Sequence, residues 1–97
     1  METYMILRRH GFRDGDDLRA AAERSTIEGE EMSDGVRWIR SYVLAEEDGT
    51  LGTVCIYQAT SPEAVLEHAR RADLPADEVI PSPDTVIVRP DPEPVPA

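Results

Sequence analysis

VRWIRSYVLAEEDGTLGTVCIYQATSPEAVLEHARRA, residues 36–72, carries a strand, a turn, a second strand and a helix in one run. VRWIRSYVL, 36–44, is rich in β-branched and aromatic residues and predicts a strand. EEDGT, 46–50, places Asp48-Gly49 where a tight hairpin turn needs them. LGTVCIYQA, 51–59, is the returning strand. Ser61-Pro62 then opens a helix, with serine as N-cap and proline at the first helical position. That helix runs to about residue 72, and Leu74-Pro75 stops it.

Upstream, residues 4–10 read as a first strand that Gly11 breaks. In RDGDD, Asp14 or Asp16 caps a first helix running to about residue 31, whose inward stripe is Leu18, Ala21, Ala22 and Ser25. Those small residues let the helix lie close to a sheet. Downstream, the last strand has two candidates, residues 78–80 and 85–89, separated by PSPD, which a central strand would not tolerate. The order β-α-β-β-α-β predicts a ferredoxin-like α+β domain over residues 1–89: a four-stranded antiparallel sheet with both helices on one face. Residues 90–97 read as a proline-rich acidic tail.

Composition narrows the function. The chain has 97 residues and a net charge of −10, and every one of its ten basic residues is arginine. A phosphate backbone requires concentrated positive charge, so nucleic acid is excluded as a partner, and so is an anionic membrane surface. No run is long and apolar enough to span a bilayer, and the N-terminus does not read as a secretory signal. A single cysteine cannot form an internal disulfide. A cytoplasmic protein is the simplest expectation.

Alternation assigns the strand faces. The aliphatic sets Met5 and Leu7, Ile39 and Val43, and Val54 and Ile56 are expected against the helices. The opposite set is Tyr4, Arg8, His10, Trp38, Arg40, Tyr42, Cys55 and Tyr57, which is expected on the open face. Exposed aromatics there predict a homodimer packed through that face, unless the chain's own tail covers it. The imidazoles His10 and His68 and the thiol Cys55 are the strong metal-ligand candidates, suited to nickel, copper or zinc. No CxxC, HxxxH or HExxH spacing supports them. Read structurally, Cys55 is a small buried hydrophobe and His68 a cation near a helix C-terminus. His68 would reach His10 only with help from a loop or a second subunit. Arg70 and Arg71 are expected to pair with nearby surface acids. Nothing in the chain supplies a phosphate loop or a Ser-His-Asp order, so catalysis is not expected.

VRWIRSYV followed by CIYQATSPEAVLEHARRADLPADEV resembles a family of small bacterial proteins catalogued as domain of unknown function 4242. Its members show V-x-W-x-x-S-Y-V, then C-x-Y-x-A, then P-E-x-x-x-E-H-A-x-x-A-x-x-P-A-D. The match runs over about residues 3–80, and residues 67–77 are its most specific part. The resemblance implies a ferredoxin-like fold, a homodimer and nickel binding, because a characterised relative is a cytoplasmic nickel-binding protein thought to sequester the metal. It puts Cys55 and His68 on motif positions, with His10 as a third ligand and Tyr42, Tyr57 and Glu67 as auxiliaries. The longer hairpin loop and the tail after Ile80 depart from the pattern. The alternative reading is a small organic ligand in a cleft lined by Arg8, Trp38, Arg40, Tyr42 and Tyr57.

Overall fold

The computed structural model describes residues 1–76 and 78–93. Six elements follow in the expected order: β1 (Glu2–Phe12), α1 (Gly15–Glu31), β2 (Val36–Ala45), β3 (Leu51–Ala59), α2 (Pro62–Arg71) and β4 (Glu78–Ser82). The strands form one sheet in the order β2-β3-β1-β4, with every pairing antiparallel. This is the ferredoxin-like arrangement, both helices lying on one face.

The local chemistry that marks the elements is the chemistry that caps them. Asp14 accepts a hydrogen bond from the Asp17 backbone N–H and starts α1; Ser61 accepts one from Ala64 and starts α2. The β2–β3 hairpin closes around Gly49 at φ +87°, a conformation glycine adopts without strain. Of the two candidate last strands, 78–80 pairs with β1 and extends to Ser82. Pro81 is tolerated because β4 is an edge strand. Residues 85–89 form no strand, and Val86, Ile87 and Val88 are largely exposed.

The strand faces differ from the expectation. The core is built from Tyr4, Ile6, Val36, Cys55, Tyr57, Ala59 and Val65, so the aromatic and polar set of β1 and β3 is the one facing the helices. Met5, Ile39 and Ile56 look to the other face, against residues 84–87. The reason is volume. The helices offer Ala21, Ser25, Val65 and Ala69 to the sheet, small side chains that leave room for Tyr4, Tyr57 and Arg8.

Two bulges complete the correction. In β2 the pairing runs Trp38 to Tyr57 and then Arg40 to Ile56, so Ile39 is an extra residue. A bulge of this kind reverses the alternation. Trp38 therefore faces the helices while Arg40 and Tyr42 face away. In β1 the pairing jumps from Arg8–Thr53 to Phe12–Leu51, so the strand passes through Gly11 instead of ending there. His10 sits inside that irregularity at φ +53° and leaves the face shared by Arg8 and Cys55. Beyond β4 the chain crosses the open face, and Asp91 accepts hydrogen bonds from Arg40 (2.6 Å) and Tyr42 (2.8 Å). The first residues of the acidic tail, 90–93, are thus described, and 94–97 lie outside the described residues.

Candidate functional site

The inverted sheet places its unusual side chains in a cleft between α1 and the sheet, with a volume of about 250 Å³. Arg8 crosses its floor and is 1 % exposed. Its Nε donates to the Pro75 carbonyl at 2.5 Å and its Nη1 to Cys55 Sγ at 3.0 Å, while Nη2 is buried with no hydrogen-bond partner among the described residues. Cys55 is buried and donates in turn to Thr53 Oγ1 at 3.3 Å. Trp38 stacks on Tyr57 at 6.4 Å between ring centroids and donates from Nε1 to Ser41. The Tyr57 hydroxyl lies 3.4 Å from Ser25 Oγ, and burial pushes its pKa above the usual phenol range.

His68 stands behind Tyr57, their rings tilted at 5.4 Å. It is fully buried. Its Nε2 lies 3.0 Å from the Ser25 carbonyl. A carbonyl only accepts, so Nε2 carries the proton and a neutral ring keeps its lone pair on Nδ1, which has no partner among the described residues. Burial holds the imidazole below its ordinary range, and Arg8 and Arg71 push the same way.

His10 lies at the hairpin end of the sheet and is half-exposed. Its Nδ1 is 3.0 Å from Asp48 Oδ2 and 3.1 Å from Thr50 Oγ1; its Nε2 is 3.5 Å from Glu46 Oε2. Both carboxylates are held ionised. Hydrogen bonds from the Thr50 hydroxyl and backbone lower Asp48 to about 2. The Arg9 guanidinium, which donates to both oxygens of Glu46, lowers that group as well.

The structure does not bring His10, Cys55 and His68 together within one subunit. His10 is at the hairpin, Cys55 in the cleft and His68 under α1. Among the described residues no three His, Cys, Asp or Glu side chains are grouped so as to hold a metal. The auxiliary residues are likewise dispersed: Glu67 pairs with Arg70, and Arg40 and Tyr42 engage Asp91 on the opposite face from Arg8, Trp38 and Tyr57.

A family model described as nickel responsive protein SCO4226-like matches residues 4–81. The chain belongs to this family. A member of known structure, SCO4226 from Streptomyces coelicolor A3(2), is similar in fold, with a TM-score of 0.67 at 23 % identity. The alignment covers 87 % of this chain and 99 % of that one. None of the curated proteins compared matches. For this SCO4226-like chain, sequence reasoning grouped Arg8, Trp38 and Tyr57 in a cleft together with Arg40 and Tyr42, which lie outside it; it read Cys55 as a metal ligand and Ser25 as an inward residue of the first helix, and it did not place Ser41 in the cleft or Glu46 and Asp48 beside His10. The alanine stripe of α1 opposite large strand side chains was the available signal for the cleft. The carboxylates beside His10 had none, because the β1 bulge that carries His10 to the hairpin leaves no mark in the alternation.

Proposed function

We propose that this protein is a cytoplasmic, nickel-responsive homodimer that sequesters or senses a divalent transition metal, with His10 as its anchoring ligand. The observation that supports this most is the setting of His10. Of the three candidate ligands it alone is exposed, and ionised carboxylates flank both of its ring nitrogens. The family's nickel-responsive description points the same way. Imidazole is a good donor for nickel, and carboxylates can complete a site.

One subunit is not enough. Asp48 and Glu46 meet different ring nitrogens, so they bracket the ring and do not converge on one point. A metal on either nitrogen displaces one carboxylate and takes its remaining donors from elsewhere, and a second copy of the chain is the proposed source. The exposed aliphatic run Val86, Ile87 and Val88, beside half-exposed Ile39 and Tyr42, gives the copies an apolar surface to share.

Equilibrium dialysis against nickel tests the assignment in wild type and in the His10→Ala, Cys55→Ser and His68→Ala variants. Uptake is expected to fall at least about tenfold in His10→Ala alone, and to fall in the wild type as the pH is lowered, because protons compete for the imidazole. Uptake that survives His10→Ala and is lost in Cys55→Ser would move the site into the cleft and refute His10 as anchor.

A further inference from the structure

Among the described residues, the cleft holds a cation with no counter-ion. Among the described residues no aspartate or glutamate lines it, although the chain has 20 acids against 10 arginines. Two of those arginines, Arg8 and Arg19, do line it. Arg19 is met by Asp16, whereas Arg8 has no carboxylate partner among the described residues. A guanidinium this deeply buried is almost always paired, since desolvating an isolated charge costs several kcal/mol.

Three donors remain for an incoming oxygen. Nη2 of Arg8 is unpartnered among the described residues. The Tyr57 and Ser25 hydroxyls are 3.4 Å apart, longer than the usual ~2.7 Å between hydroxyl oxygens, so neither satisfies the other well. Arg19, Ser41, Thr53 and Cys55 add polar groups, and the rest of the lining is apolar or aromatic, including Phe12, Leu18, Leu74, and Trp38 at the rim, 36 % exposed. A volume of about 250 Å³ exceeds the ~150 Å³ that accommodates benzene and holds one ring with a short acidic arm.

We propose that this cleft binds a small apolar monocarboxylate, the carboxylate on Arg8 Nη2 with Tyr57 and Ser25, and the hydrocarbon body between α1 and Trp38. A charge-assisted bond from a buried arginine selects the anion, and the apolar walls select against inorganic anions. The proposal goes beyond the nickel reading and does not depend on it: the cleft is distinct from the hairpin end that holds His10.

Trp38 is the only tryptophan, so its fluorescence reports on the cleft directly. Metal-free protein titrated with benzoate and phenylacetate is expected to show a saturable change, with neutral benzamide at least about tenfold weaker. Arg8→Met should erase that preference. Ala22→Phe, which fills the cleft from α1 and spares Arg8, should abolish the response while the far-ultraviolet circular dichroism stays native; it keeps the test decisive if Arg8→Met does not fold. Equal responses to benzoate and benzamide, a response to inorganic phosphate alone, no saturation with either carboxylate at millimolar concentration, or binding retained in a folded Ala22→Phe would each overturn the proposal.

Discussion

His68 shows how a single buried group sets a property of the whole chain. Burial first, then Arg8 and Arg71, lower its pKa from 6.5, outweighing the Ser25 carbonyl and Glu28, which act the other way. In the unfolded chain the imidazole takes up a proton near its ordinary value; in the folded chain it resists until lower pH. Below about 6.5 the unfolded state therefore binds more protons, and stability falls as the pH drops through that value toward the folded pKa. Urea midpoints should decline between about pH 7.5 and 5.5 in the wild type and decline less steeply in His68→Gln. The lowered carboxylates, Asp48, Glu46 and Glu67, titrate at more acid pH, outside this window. An unchanged slope in the variant would remove His68 as its cause. Gly52 makes a second prediction of this kind. A Cβ there would stand 2.7 Å from the Arg8 carbonyl oxygen, a backbone atom that cannot swing aside. Gly52→Ala is expected to lower unfolding free energy by about 1–3 kcal/mol in denaturant melts, with loss of the Arg8–Thr53 register as the structural consequence.

Elements are where sequence reading succeeds and where its limit lies. The caps, the hairpin glycine and the proline after α2 are local signals, and each fell where the chain turns. Ser61→Ala should accordingly cost about 1 kcal/mol by chemical denaturation, since it orphans the Ala64 N–H at the start of α2. An effect within error would mean that Pro62 and packing hold that end alone. The faces of the strands were not legible in the same way. Both faces of β1 and β3 carry large apolar side chains, so alternation gives two sets without ranking them. What ranks them is the alanine-rich helix opposite, and its consequence, aromatics and arginine inside, runs against the usual preference for aliphatic cores. The extra residue at Ile39 compounds this by separating Trp38 from Arg40 and Tyr42. The proposed site divides along the same line. The residue types in the cleft were recognisable, while the neighbours of His10 depend on the β1 bulge and a hairpin that only tertiary structure brings together.

At the scale of the whole molecule, a chain of 97 residues leaves much apolar surface in contact with water. Val86, Ile87 and Val88 are 86 %, 77 % and 80 % exposed, with Ile39, Tyr42 and Ile80 partly open on the same molecule. Arg40 and Tyr42 pin Asp91 across the open face, so this run lies beside the sheet outside any strand. The proposed dimer covers that surface and supplies the donors that His10 lacks in one subunit. Native mass spectrometry of the untagged protein, with and without nickel, reads both quantities at once. The account predicts a dimer that gains whole-number nickel per subunit, and a His10→Ala protein that remains a dimer and gains none. A protein that takes up no nickel in micromolar excess, or a His10→Ala variant that takes up as much as the wild type, would contradict it.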